Sequence, residues 1–154
     1  MTNVVIASAV RTAIGDFGRA LAAIPPCELG ALVAAEAISR AGLAPDAVQQ
    51  TVFGNVIHTA PEDMYLSRVA AMRAGVPETA PALTLNRLCG SGLQAVVTAA
   101  EQIMLGNAGV ALAGGAESMS RAGHLLSARA GQKMGDVRAV DMMVGALTDP
   151  FGGG

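Results

Sequence analysis

A four-residue apolar run, Ala82–Leu85, passes through Asn86-Arg87-Leu88 into a lone cysteine, Cys89, and then through Gly90-Ser91-Gly92 into a long helical pattern. A strand that hands over to a helix within a few residues is the repeating unit of α/β proteins, because parallel strands are joined through crossover helices. The same junction sets a thiol where unpaired backbone N–H groups and the helix macrodipole favour negative charge. A free thiol titrates near about 8.5, and such a setting can lower it by a unit or more. The thiolate is the nucleophile, so the junction points to covalent acyl chemistry at Cys89, whose own N–H could serve a developing oxyanion.

The rest of the chain reads as more of the same unit. Residues 4–10 are nearly continuous in small and β-branched apolar side chains, the pattern of a buried strand. Gly15, Asp16 and Gly18 mark a loop. Pro25-Pro26 opens a helix that Gly42 closes, and Pro45-Asp46 starts a short turn. Residues 52–57 form a second strand, and Asp63 caps a helix over about residues 64–74, ended by Gly75. The helix after Cys89 spans about residues 91–105, and residues 110–113 make a fourth strand that Gly114-Gly115 breaks. The order β-α-β-α-β-α-β predicts parallel crossovers with helices on both faces of one sheet.

In the helix after Cys89, Gln94, Thr98, Glu101 and Gln102 share one stripe and every other face is apolar. That pattern predicts a helix buried between layers. Beyond Ser120, glycines and methionines replace periodicity, apart from a short helix around residues 141–147.

With 154 residues the chain can hold one domain with a real core. Its side chains are 52% hydrophobic but only 3% aromatic, so layers can approach closely. A net charge of −2, with Lys133 and the arginines scattered singly, leaves no footprint for nucleic acid. No apolar run reaches the roughly 18 residues of a membrane span, and the start of the chain shows no secretory or transit signal. Cys27 and Cys89 form neither a metal-ligand pair nor a disulfide framework, which suggests a reducing, cytoplasmic setting.

Cys27, beside Pro26, reads as a small buried hydrophobe. His58 and His124 are bases by chemistry, but isolated histidines are commonly surface residues. Glu117 reads as a hydrogen-bonded structural carboxylate. Arg87 either pairs across an interface or anchors the cysteine loop. Two rival readings compete with nucleophilic catalysis. Gly90-Ser91-Gly92-Leu93-Gln94-Ala95 fits the dinucleotide fingerprint G-x-G-x-x-A, with Glu117 as the one candidate for its acidic partner. A non-catalytic half-fold that assembles with a partner is the other. A Ser91 nucleophile would need glycine where Cys89 stands.

Several segments together resemble the amino-terminal part of the thiolases, acetyl-CoA acetyltransferases and β-ketothiolases. They are Val10-Arg11-Thr12-Ala13-Ile14-Gly15, Glu28-Leu29-Gly30, Gly54-Asn55-Val56, residues 86–95 around Cys89, Gly114-Gly115-Ala116-Glu117-Ser118-Met119-Ser120, and residues 141–151. Residues 58–65 are similar to the bacterial β-ketothiolases of broad chain length. The resemblance implies a layered α/β fold, with residues 1–119 as its first half and residues 120–154 as the incomplete start of an inserted loop domain. It implies a reversible Claisen condensation of acetyl-CoA with acyl-CoA through an acyl group on Cys89, whose backbone N–H contributes to the oxyanion hole. Coenzyme A thioesters would be substrates, with no separate cofactor or metal. The full-length form would be a homodimer or homotetramer. The family's Gly-His-Pro, Cys-x-Gly-Gly and Asn-Glu-Ala-Phe motifs, which carry its acid/base residues, do not occur among these 154 residues. The expectation is therefore a fragment, inactive alone, with uncovered apolar surface.

Overall fold

The computed structural model describes residues 3–129, 131 and 133–152, so the outer limits expected at residues 1 and 154 lie outside it. The first helix, α1 (Pro26–Arg40), starts on a proline at its first turn and ends where Gly42 takes a left-handed φ of 68°. A single 3-10 turn (Pro45–Ala47) leads into β1 (Gln50–Gly54). A second 3-10 segment (Pro61–Tyr65) runs into α2 (Leu66–Arg73), and β2 (Ala82–Leu85) follows. Then come α3 (Ser91–Met104) and β3 (Ala111–Gly115). The last elements are β4 (His124–Leu126), β5 (Ala139–Asp141) and α4 (Met142–Leu147).

β1 lies at the centre of a three-stranded parallel sheet of order β2-β1-β3, with Thr51 opposite both Ala82 and Leu112. Successive side chains of β1 leave opposite faces, as strand geometry requires. Phe53 packs with Cys27, Ala34 and Ile38 of α1 and Leu66 and Ala70 of α2, whereas Val52 packs with Ala95 and Ala99 of α3. Phe53, Leu66 and Val52 are each almost fully buried, worth about 1.5–3 kcal/mol apiece. The expected parallel α/β arrangement is present, with helices on both faces.

Asp63 lies inside the 3-10 segment, and Tyr65, not Asp63, is the N-cap of α2. Four further local expectations differ. Residues 4–10 are extended but join no sheet, and Val5 and Ile6 are exposed. Among the described residues, no backbone hydrogen bond is made by residues 3–15 to other backbone groups. The reason is spatial: this run and the outer side of β3 line opposite parts of one cavity of about 1020 Å³, leaving no strand within bonding distance. Second, β3 runs through Gly114 and Gly115 instead of breaking there. A Cβ on Gly114 would stand 3.0 Å from the Phe53 ring, and one on Gly115 would stand 3.0 Å from the Gly54 carbonyl oxygen. Close approach inside the sheet, not a turn, is what those glycines serve. Third, α3 buries only the stripe of Ser91, Ala95 and Ala99, while Leu93, Met104 and Leu105 face outward. Its mostly apolar circumference anticipates a second layer, and these residues supply one. Fourth, the antiparallel pair β4–β5 has no clear sequence signal, although α4 falls where expected, with the Asp141 side chain accepting from the amides of Met143 and Val144.

The contact between β1 and α3 yields the first prediction. A Cβ at Gly54 would lie 2.6 Å from Ser91 Cβ and 2.8 Å from its backbone carbonyl carbon. Gly54→Ala should therefore destabilise the chain by about 1–3 kcal/mol, the usual cost of overpacking. Gly92→Ala opens onto free space and should be neutral or stabilising by up to about 1 kcal/mol. Urea denaturation of the two variants checks the contrast.

Candidate active site

Cys89 is exposed and stands immediately before Gly90, the N-cap of α3. The turn that presents it is built by short-range hydrogen bonds. Asn86 Oδ1 accepts from the Leu88 amide at 2.9 Å, the Gly90 amide donates to the Arg87 carbonyl at 3.0 Å, and the Ser91 amide donates to the Leu88 carbonyl at 3.0 Å. Ser91 Oγ accepts from the Arg87 amide at 2.8 Å and donates to the Leu88 carbonyl at 2.6 Å. These bonds hold Leu88 at φ 47°, the one described non-glycine residue with positive φ. A branched side chain in that region costs on the order of 1 kcal/mol or more, and such strain gathers at functional turns. Arg87 Nη1 donates to Gln94 Oε1 on α3, so Arg87 anchors the cysteine loop to its own helix.

The turn leaves the amides of Cys89, Gly92 and Leu93 without an acceptor among the described residues. Unpaired donors at the start of a helix suit an anion or a developing oxyanion. The geometry does not suit the rival readings of the same loop. Gly90 is the N-cap and Gly92 is already helical, so neither makes the tight glycine turn of a dinucleotide site. Ser91 is buried and both of its hydroxyl roles are taken within the turn.

Beside this turn, at the carboxyl ends of the strands, Glu117 acts as a clamp. Its carboxylate accepts from Asn55 Nδ2 at 3.1 Å and from the amides of Val56 and Ile57, each at 2.9 Å. Asn55 Nδ2 also donates to the Ala116 carbonyl, and the Asn55 amide donates to Leu85. The loop after β1 is thereby tied to both neighbouring strands. Although Glu117 keeps an exposed surface, desolvation of its carboxyl raises its pKa, opposed by the Ile57 and Val56 amides. Glu117 is thus a structural carboxylate, as its sequence setting suggested. Neither Asn55 nor Gly54 drew attention through its own chemistry; both stood out only within the family-like Gly-Asn-Val segment.

His58 and His124 are exposed, in the loop after β1 and on β4, and neither is hydrogen-bonded to Cys89. The two cysteines occupy opposite environments. Cys27 is fully buried, and its Sγ donates to Asp63 Oδ1 at 3.3 Å. Burial, then the hydrogen bond to Asp63, then the charges of Asp63 and Glu62, push its pKa up to about 12. Cys27, Glu62 and Asp63 bring possible ligand atoms within 4.8 Å of one another. The raised thiol pKa opposes a metal-binding thiolate, however, and Asp63 Oδ2 is already taken by the Thr59 amide, the Thr59 hydroxyl and the Ala60 amide.

Comparison with known proteins agrees with this architecture. Residues 4–153 match the family model described as "Thiolase, N-terminal domain". The chain is 62% identical over 150 residues to the beta-ketothiolase BktB of Cupriavidus necator, covering 97% of this chain and 38% of that protein. It is 50% identical over 145 residues to an acetyl-CoA acetyltransferase of the same organism, covering 94% and 37%. Among solved structures, human mitochondrial 3-ketoacyl-CoA thiolase in complex with CoA superposes with a TM-score of 0.90 at 37% identity, covering 94% of this chain and 37% of that one. The Bacillus anthracis acetyl-CoA acetyltransferase gives 0.88 at 39% identity, covering 96% and 38%. The family model spans nearly the whole chain and the solved thiolases share its fold, so the chain belongs to the thiolase family. It spans less than two fifths of the length of these relatives.

The contrast between the cysteines is directly measurable. At neutral pH iodoacetamide should label Cys89 and leave Cys27 unmodified until the chain is denatured, as peptide mass mapping would show. Because the folded chain holds the Cys27 proton more tightly than the unfolded chain, the associated stability is complete below pH 9.0 and declines as pH rises toward about 12. The stability difference between the native chain and Cys27→Ala, measured by urea denaturation, should shrink above pH 9.0 and stay flat below it.

Proposed function

We propose that Cys89 is the acyl-accepting nucleophile of an acyl-CoA C-acyltransferase of the thiolase type. The observation that carries this reading is an exposed thiol on a strained turn, immediately before the N-cap of a helix whose Gly92 and Leu93 amides have no acceptor among the described residues. In the condensing direction the Cys89 thiolate attacks the carbonyl carbon of an acyl-CoA. The C–S bond to coenzyme A breaks, coenzyme A leaves as its thiolate and takes up a proton, and an acyl thioester remains on Cys89. The Cys89 amide helps hold the transient oxyanion. A deprotonated acetyl-CoA then attacks the acyl-cysteine, forming the carbon–carbon bond and releasing the Cys89 thiolate.

The second step requires an acid/base pair to move protons on the thiol and on acetyl-CoA. Among the described residues no hydrogen bond links His58 or His124 to Cys89, and the family's acid/base motifs do not occur among these 154 residues. The 154-residue chain by itself is therefore a half-site that accepts an acyl group poorly and does not turn over. Higher identity to the beta-ketothiolase than to the acetyltransferase of the same organism supports a broader acyl range. This reading carries with it CoA thioesters as substrates, no separate cofactor, cytoplasmic work and a homodimer or homotetramer for the full-length protein.

Incubation with acetyl-CoA, followed by intact and peptide mass analysis, is the test. One acetyl group is expected on Cys89, none on Cys89→Ala, and no acetoacetyl-CoA. Equal acetylation of the Cys89→Ala chain would overturn the assignment of the nucleophile. Sustained acetoacetyl-CoA formation by the native chain would overturn the half-site account.

A further inference from the structure

β1 ends at Gly54, and the amides of Val56 and Ile57 beyond it have left the sheet and its acceptors. The Glu117 carboxylate stands in for the missing strand. Its Oε2 accepts from the Val56 amide at 2.9 Å, and its Oε1 accepts from the Ile57 amide at 2.9 Å and from Asn55 Nδ2 at 3.1 Å. Among the described residues it has no arginine or lysine partner, so N–H donors alone answer its charge. Desolvation raises its pKa, and the Ile57 and Val56 amides offset that only in part. An ionised Glu117 is therefore held by the fold at some loss of stability, a loss of the kind that functional sites carry.

What this carboxylate holds is the seat of the nucleophile. The Asn55 amide donates at 3.1 Å to the carbonyl of Leu85, the last residue of β2, and the turn of Cys89 follows directly. Asn55 Nδ2 also donates to the Ala116 carbonyl at 2.9 Å, so one residue spans both neighbouring strands. One position earlier, Gly54 lies so close under Ser91 that an added Cβ would stand 2.6 Å from Ser91 Cβ. The hydrogen bonds of the turn run among its own residues and to α3. Its placement against the sheet rests on Leu85 and on the contact of Gly54 with Ser91. Acyl transfer depends on that placement, because charge grows on the thioester oxygen as the thiolate adds. A backbone amide stabilises that charge only when it is aimed at the oxygen beforehand.

We propose that Glu117 is a positioning residue for acyl transfer: through Asn55 and Gly54 its carboxylate fixes the end of β1 on which the Cys89 turn rests, and so holds the Cys89 amide toward the thioester oxygen. This rests on the reading of Cys89 as the acyl acceptor. Glu117 itself makes no hydrogen bond to Cys89 and acts only through the backbone between them. Glutamine in its place keeps the shape, loses the charge and turns an N–H2 group toward at least one of the three donors, which opens that corner. Burying the neutral amide costs less than burying the carboxylate, so Glu117→Gln leaves the global fold intact.

Two reactions at the same sulfur separate positioning from mere support of the fold. Alkylation by iodoacetamide needs an accessible, ionised thiol but builds no oxyanion, whereas acetylation by acetyl-CoA builds one. In Glu117→Gln, acetylation of Cys89 followed by peptide mass analysis should slow by about tenfold or more. Its Cys89 alkylation rate and urea midpoint should match those of the native chain, with Cys27 still unlabelled. Glu78→Gln, which alters an exposed carboxylate elsewhere, should match the native chain throughout. Unchanged acetylation in Glu117→Gln, or a parallel change in alkylation, would overturn the proposal. So would a lowered urea midpoint or labelling of Cys27 before denaturation, which mark a carboxylate that only supports the fold. Should the native chain take up no acetyl group, the reading of Cys89 falls, and NMR then decides whether Glu117 positions the turn. The amide signals of Cys89, Gly92 and Leu93 should move in Glu117→Gln while those of Thr51 and Val52 stay, and unmoved signals at the turn overturn it.

Discussion

The end of β1 meets the beginning of α3 with no room for a side chain, and the rest of the structure is arranged around that contact. Gly54 lies under Ser91 so closely that any Cβ would collide. At the same residue the carbonyl accepts from Ala116, and the next amide donates to Leu85. One backbone position therefore fixes both flanking strands and the start of the helix. Since Ser91 also bonds Arg87 and Leu88, the position of Gly54 reaches Cys89 through a single residue. Glu117 and Asn55 reinforce the same corner by tying the loop after β1 to both neighbours.

The two cysteines show how surroundings, not residue type, divide enclosed from accessible sulfur. Cys27 is enclosed by α1 and the 3-10 segment before α2, and beside a buried carboxylate its proton is hard to remove. Cys89 lies on a turn whose hydrogen bonds are made among its neighbours, leaving its sulfur facing outward and its own amide unspent. Only the second setting leaves a thiol within reach of a molecule arriving from solvent.

Much of the local structure was legible in the sequence. Pro26 and Gly42 marked the limits of α1 and Gly75 the end of α2, because each acts through its own backbone. The glycines at 114 and 115 misled for the opposite reason. Their cause is another strand or helix lying within van der Waals distance, which no local pattern records. The apolar character of residues 4–10 and of the outer face of α3 was read as burial, and both are largely exposed in this chain. Whether an apolar run is buried depends on partners that lie elsewhere.

The sequence by itself determined the periodicities, the caps and a cysteine at a strand-to-helix junction, since these follow from backbone geometry over a few residues. Tertiary structure alone decided which strands pair, that Glu117 clamps Asn55, and that residues 4–10 make no backbone pairing. Those outcomes depend on groups brought together from distant parts of the chain, where hydrogen bonds and close packing operate only over a few ångströms.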